Sequence, residues 1–360
     1  MLYDSYLEQV KAALWGQAVS DASFTERDIQ MHMMQGTGTL VFPHRTSMTP
    51  QMKMVCLQNM QQQVKLQYTL SQAWTSLTKA GITPVLMKGA GLAALYLEPQ
   101  MRTWGDIDLF VGTDQYHPAC AVMRETFPDA LKFDEELDHY KHYNIIADGI
   151  SIETHRVSVS LPHPLDARRY AKMEQYGMTH AVPLTIGSSS LTLMVPEPTF
   201  NALFVMLHSW EHMMSMGANI RQLCDFTLLV HHYAGQIDAK RLKRYLSDVC
   251  LTDVWQLYIT IAVQYLGLPQ EEALLYKADR QVAARAEGLL NDLLSGKMVA
   301  PKATGPAPKG RLARKWHTMQ ERMANARRMK AYSPAYGRHM ATSIWISGLL
   351  RLFAKDRHWE

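Results

Sequence analysis

The chain has 360 residues, 47% of them hydrophobic and 19% charged, with a formal net charge of +4. This is ordinary globular composition with material for a sizeable core, so wholesale disorder is excluded, and the length suits two domains or one large domain with appendages. The charge is uneven: residues 297–360 carry 14 Lys+Arg against 3 Asp+Glu, a local +11 that leaves −7 on the remainder, so an acidic body ends in a basic segment.

Residues Thr49 to Ala80 read as one long helix, with Thr49 as cap, Pro50 at the first helical position and Gly81 as the stop. Leu57, Met60, Val64 and Tyr68 form one apolar stripe on it, and Leu66, Leu70, Trp74 and Leu77 form a second. Ile82 to Met87 then reads as a short buried strand, Ala90 to Leu97 as a helix, Ile107 to Val111 as a strand and Tyr116 to Thr126 as a helix. Tyr143 to Ala147 and Ile150 to Val157 read as a hairpin across the turn dipeptide Asp148-Gly149. A second hairpin, Val182 to Ile186 and Leu191 to Val195, flanks Gly187-Ser188-Ser189-Ser190. From Thr199 to about Leu294 the pattern is helical, Gly296 to Gly310 reads as a Pro/Gly linker, and a basic helix from Arg311 to Lys330 follows. After Ser333-Pro334 a last amphipathic helix places Trp345, Leu349, Leu352 and Phe353 on one face.

Cys56, Cys120, Cys224 and Cys250 are widely spaced, which predicts neither a cysteine zinc site nor a disulfide framework. Cys224 lies in an apolar helix and reads as core. The N-terminus has no basic start leading into an apolar run, and no apolar stretch reaches the roughly 18 residues of a membrane span. The expectation is a cytoplasmic protein with no transmembrane segment.

The chemistry concentrates in Arg102-Thr103-Trp104-Gly105-Asp106-Ile107-Asp108-Leu109-Phe110-Val111. Side chains alternate on a strand, so Asp106 and Asp108 share one face while Ile107 and Leu109 take the other. Two adjacent carboxylates repel unless a cation sits between them, and two hard oxygen ligands suit Mg²⁺, which takes substrate phosphate oxygens as further ligands. In Ile150-Ser151-Ile152-Glu153-Thr154-His155 the isoleucines again alternate with polar residues. Should that strand lie beside the first, Glu153 completes a three-carboxylate cluster able to hold two metals. Upstream, Val85-Leu86-Met87-Lys88-Gly89-Ala90-Gly91 runs from strand to helix. Gly89 permits close backbone approach, a helix start offers N–H groups to phosphate, and Lys88 is a point charge for the same anion. Taken singly, each part also has a plain structural reading: a surface Asp pair, a solvated lysine, a turn glycine.

Together these residues resemble the nucleotidyltransferase superfamily that includes DNA polymerase beta, and more closely a bacterial group of uncharacterised nucleotidyltransferases. The resemblance rests on Met87-Lys88-Gly89, on Tyr96, and on Arg102 through Asp106, Asp108 and Leu109 to Val111. It continues in Glu153-Thr154-His155 and, more loosely, in His208, His212, Arg221 and Asp225, and covers about Thr49 to Tyr233. Many superfamily members carry Gly-Ser in the turn, whereas this chain has Lys88-Gly89-Ala90-Gly91 with no hydroxyl.

The resemblance implies an α+β fold: a nucleotidyltransferase mixed sheet flanked by N-terminal helices and a C-terminal helical domain. The corresponding division is 1–80 N-terminal helices, 81–196 core, 197–296 helical domain, and 297–360 linker and basic helices. The implied reaction moves a nucleoside monophosphate from a nucleoside triphosphate, such as ATP, to an acceptor and releases pyrophosphate. Asp106, Asp108 and Glu153 would hold Mg²⁺ or Mn²⁺, with Glu153 also a candidate base, while Lys88, Gly89 and Arg102 would handle phosphates. His208 and His212 share a helix face without forming HExxH, and read as a hydrogen-bonded pair; alternatively His212 or Arg221 reaches a phosphate. Arg221 and Asp225 are spaced to pair with each other, and His231-His232 suit a helix C-terminus.

The basic end leaves three readings: a solvated helix packed on the body, nucleic-acid contact, or attachment to an anionic surface, within 311–357. The second would use Arg311, Arg314, Lys315, Arg322, Arg327, Arg328 and Lys330 with Trp316 interleaved, and the third the Trp345 to Phe353 face. Two other functions stay open: a non-catalytic or regulatory module, as in a toxin–antitoxin pair or biosynthetic cluster, and an RNA-modifying enzyme.

Overall fold

A computed structural model describes residues 3–20, 24–133, 135, 137, 139–186, 192–215, 217–298 and 311–353. The turn Gly187–Ser190 and most of the linker, 299–310, lie outside the described residues, as do the side chains of Arg311, Arg314, Lys315, Leu349, Leu352 and Phe353.

The chain opens with helices α1 (Asp4–Leu14), α2 (Glu26–Met34), α3 (Gly38–Val41) and α4 (Pro50–Lys79). The long helix starts as its cap residues dictate: Thr49 Oγ1 accepts the Met52 N–H at 3.3 Å, and Pro50 occupies the first turn. Its two apolar stripes meet different fates. Leu66, Leu70, Trp74 and Leu77 are buried, whereas Leu57, Met60, Val64 and Tyr68 are 41–68% exposed. In the first half of α4 the inward face carries Met52 and Cys56, which pack with Phe42, and then the polar pair Asn59 and Gln63. Asn59 Nδ2 donates to the Gln100 carbonyl at 2.7 Å and Gln63 Nε2 donates to Asn59 Oδ1 at 3.4 Å, so this face holds a neighbouring turn and turns the apolar stripe outward.

Next come β1 (Val85–Met87), α5 (Gly89–Ala93), β2 (Asp106–Phe110), α6 (Gly112–Thr126), β3 (Leu131–Lys132), β4 (His142–Ala147) and β5 (Ile150–His155). β1 is shorter than the apolar run because Pro84 has no N–H for the ladder, and pairing begins at Val85. α5 is also shorter than expected. The Leu95 and Tyr96 N–H groups bond to Leu92 and Ala93 three residues back, winding the turn tightly and burying Tyr96. α7 (Pro164–Thr179) was not anticipated: Pro162 and Pro164 look like loop, but Pro164 sits at a helix start, where no bond needs its missing N–H. β6 (Val182–Thr185) and β7 (Thr192–Val195) form the second hairpin.

The main sheet has the order β1-β2-β5-β4-β3. β2 and β5 run parallel, and every other pairing in it is antiparallel. Ile107, Leu109, Ile145 and Ile152 line one face and pack with Leu66, Leu70, Leu77 and Met123 from α4 and α6. The polar residues of the same strands are thereby sent to the opposite face.

The remaining helices are α8 (Pro198–Ser215), α9 (Ile220–His232), α10 (Ala239–Asp248), α11 (Thr252–Tyr265), α12 (Arg280–Leu294), α13 (Arg311–Tyr332) and α14 (Pro334–Phe353). Among the described residues, 9–160 and 173–204 make one compact unit containing the sheet, and 3–8, 161–172 and 205–353 make a second, helical one. Within the second, Tyr332 Oη donates to Asp292 Oδ2 at 2.6 Å and Tyr336 stacks edge-on to Trp210, so α13 and α14 are tied to its other helices. Trp316 and Trp345 stay more than half exposed. No helix among the described residues is long and apolar enough to cross a membrane.

Candidate active site

The register of β2 against β5 builds the site. Asp106 lies opposite Ser151 and Asp108 opposite Glu153. All three carboxylates therefore rise from one face, and one oxygen from each lies within 4.8 Å of the others. Asp108 is fully buried, whereas the Asp106 side chain is 45% exposed.

Two cations face this negative charge. Lys88 follows β1, where Met87 pairs with Asp108, and its Nζ lies 3.1 Å from Asp108 Oδ1 and 3.8 Å from Asp106 Oδ2. His155 is the second. Its Nε2–H donates to Asp108 Oδ1 and to Glu153 Oε2, each at 3.0 Å, and its Nδ1–H donates to the Val157 carbonyl at 3.4 Å. Glu174 on α7 fixes the chain just beyond that carbonyl by accepting the Ser158 N–H at 2.7 Å.

Proton affinities follow from this arrangement. Burial works against charge on Lys88, but Asp108, Asp106 and Glu153 together outweigh it and hold its ammonium above the ordinary lysine range. Burial likewise opposes charge on His155, and its hydrogen bonds to Asp108 and Glu153 overcome that and raise it. For Glu153 burial pushes upward, but the hydrogen bond from His155 wins and keeps the carboxyl low. Asp106 moves the other way: repulsion from Asp108, then burial, raises it despite Lys88.

The turn that presents Lys88 is strained. Lys88 has φ +53° and ψ −144°, a conformation close to one reserved for glycine. Gly89 follows at φ +43°, and a Cβ there would sit 3.3 Å from the Asp106 carbonyl oxygen and 3.4 Å from the Trp104 ring. Arg102 is buried and its Nη1 donates to the Gly89 carbonyl at 3.1 Å, so it braces the turn.

A further histidine, missed in the sequence, completes the group. His142 on β4 lies opposite His155, their ring centroids are 4.9 Å apart, and its Nδ1 is 3.8 Å from Glu153 Oε2. Burial pushes the His142 imidazole down to about 4, so it is neutral at pH 7. The turn could have revealed it: Asp148 and Gly149 both have positive φ, as a two-residue hairpin turn requires, and five residues outward from the closing pair Ala147 and Ile150 are His142 and His155.

The structure thus gathers Lys88, Gly89, Arg102, Asp106, Asp108 and Glu153 in one place. His212 and Arg221 belong to the helical unit. The His208 and His212 rings share a face of α8, 4.3 Å apart. Asp225 and Cys224 are buried in α9, and His231 Nδ1 bonds Glu272 Oε2 at 2.5 Å. All four cysteines are free thiols.

A mixed sheet with an Asp-x-Asp strand, a third carboxylate on its parallel neighbour and a glycine turn beside them is a nucleotidyltransferase-type architecture. The chain belongs to a family described as uncharacterised nucleotidyltransferase, whose model matches residues 39–267, beyond both ends of the sequence resemblance. No curated protein and no solved structure matched the chain.

Proposed function

We propose that the chain is a metal-dependent nucleotidyltransferase that moves a nucleoside monophosphate from a nucleoside triphosphate to an acceptor hydroxyl or phosphate. The observation that carries this reading is the approach of Asp106, Asp108 and Glu153 oxygens to within 4.8 Å across the parallel β2–β5 pair. Hard carboxylate oxygens in that number fit Mg²⁺ or Mn²⁺. Such an ion would neutralise phosphate charge and lower the pKa of the attacking hydroxyl.

The residues of the chain supply the rest. Glu153, held ionised by His155, accepts the proton of the acceptor hydroxyl. The acceptor oxygen bonds to the α-phosphorus as the bond to the β-phosphate oxygen breaks, and pyrophosphate leaves. Lys88 is close enough to the carboxylates to exchange its partner Asp108 for a phosphate oxygen of the arriving nucleotide. Arg102 and Gly89 keep the turn in the shape that presents Lys88. The basic stretch 311–357 is where an anionic acceptor such as RNA, or an anionic surface, would be held.

The test is incubation of the protein with each labelled nucleoside triphosphate, Mg²⁺ or Mn²⁺ and a cell lysate. Label should pass to an acceptor and be lost in the Asp106→Asn/Asp108→Asn double variant. Full transfer by that variant overturns the mechanism. Calorimetry that finds no binding of any metal–nucleotide complex would return the chain to a non-catalytic module.

A further inference from the structure

Beside the carboxylate cluster lies a second ligand set of different chemistry. His142, Glu153 and His155 each offer one ligand atom, and these atoms lie within 4.8 Å of one another. Their separations fit a common ion. The Glu153 Oε2 atom is 3.0 Å from His155 Nε2 and 3.8 Å from His142 Nδ1. Bonds of about 2.0–2.1 Å in a tetrahedron place neighbouring ligands about 3.4 Å apart, between those two values.

Both histidines are prepared for ligation in different ways. His142 Nδ1 is buried and has no hydrogen-bond partner, which is costly for a polar atom unless something binds it. His155 points Nε2 into the group while its Nδ1–H donates to the Val157 carbonyl. A backbone carbonyl on the far nitrogen is the support that fixes ring orientation in a ligating histidine. The two rings sit side by side because β4 and β5 pair with His142 opposite His155.

We propose that His142, Glu153 and His155 form a divalent transition-metal site, distinct in ligand type from the all-carboxylate set and sharing Glu153 with it. Two imidazoles and one carboxylate suit Zn²⁺, Co²⁺ or Mn²⁺ and disfavour Mg²⁺, which takes oxygen. Three protein ligands leave a coordination position for water or substrate. His155 ligates as the neutral ring, so its Nε2 hydrogen bonds to Asp108 and Glu153 give way to the metal bond. This inference needs no nucleotide and stands or falls separately from the transfer reaction.

The experiment is a Co²⁺ titration of the chelator-treated full chain in excess Mg²⁺, without nucleotide, read by visible absorption and by calorimetry. One Co²⁺ per chain is expected, with affinity at least 10-fold weaker in His142→Ala and within 2-fold of wild type in Asp106→Asn. Zn²⁺ should displace the Co²⁺ absorption. Absence of a stoichiometric Co²⁺ signal from the folded protein overturns the proposal, as does unchanged affinity in His142→Ala. Loss of the signal in Asp106→Asn but not in His142→Ala would assign the ion to the carboxylates and also overturn it. Should His142→Ala fail to fold by circular dichroism, His142→Gln, which keeps the bulk, decides by the same criterion.

Discussion

Nζ of Lys88 lies 3.1 Å from Oδ1 of Asp108, and the lysine backbone adopts φ +53° to place it there. A single residue thus combines a buried ion pair with backbone strain. Strain of this kind costs about 1–3 kcal/mol and persists only where neighbours over-determine it. Removing one partner of a buried pair costs about 3–5 kcal/mol, because the other charge is left alone. Lys88→Met should therefore lower stability by about 3 kcal/mol in chelator. Lys88→Gly loses the same charge but relaxes the backbone, so it should melt above Lys88→Met. A lower melting temperature for the glycine variant would sink the strain argument. With the ammonium gone, Mg²⁺ should also raise the melting temperature more than it does in wild type.

The two aspartates of the Asp-x-Asp should respond in opposite directions. Asp108 is buried and accepts from both Lys88 and His155, so Asp108→Asn strands two cations and should cost about 3 kcal/mol. Asp106 is partly solvated, and its carboxyl is raised chiefly by repulsion from Asp108. Asp106→Asn removes that repulsion, discounted by solvent screening, and should stabilise the metal-free protein by up to about 1 kcal/mol. Denaturant unfolding in chelator checks both. Equal destabilisation by the two changes would contradict the geometry.

Gly89→Ala tests the brace. Its methyl would press on the Asp106 carbonyl and the Trp104 ring at a positive φ. A loss of about 1–3 kcal/mol is expected, with weaker nucleotide transfer even where the protein folds. Wild-type stability in Gly89→Ala would show that the turn has room to spare.

A pH effect is expected far from the site. His32 is fully buried, its Nε2–H donates to Gln9 Oε1 at 2.8 Å, and its Nδ1 accepts from the Thr37 hydroxyl at 2.9 Å. Burial pushes this imidazole down to about 3 from an ordinary 6.5. The unfolded chain therefore binds a proton below pH 6.5 that the folded chain refuses, and stability falls as pH drops from about 6.5 toward 3. At pH 5 the loss from His32 is about 2 kcal/mol relative to pH 7.5. His32→Gln cannot titrate, so its deficit against wild type should shrink by that amount over the same interval. A deficit that is constant with pH would show that His32 is protonated in the fold.

The part of this protein legible in the sequence was what one strand or one helix can express alone. Alternation in Asp106–Phe110 and Ile150–His155 placed three carboxylates outward and the isoleucines and leucines inward, and the β2–β5 register then brought Asp108 opposite Glu153. Relations between elements were harder to read. Lys88 looked like a residue for phosphate, and only the β1–β2 pairing shows it against Asp108. His142 stands at the start of a strand, and only counting outward from the Asp148-Gly149 turn sets it opposite His155. Both stripes of α4 have helical spacing, yet periodicity could not say which face the sheet would cover, and Asn59 and Gln63 took the inward positions beside one of them.

The order of the sheet has a last consequence. β2 and β5 are interior strands, each with ladder partners on both sides. Amides in such strands exchange with solvent only when the whole unit opens, so those of Asp108 and Glu153 belong among the slowest in the chain. The carboxylates are thus as persistent as the fold itself. Whatever moves when a ligand arrives must be the strained turn at Lys88 and the loops around the sheet, against a fixed negative floor.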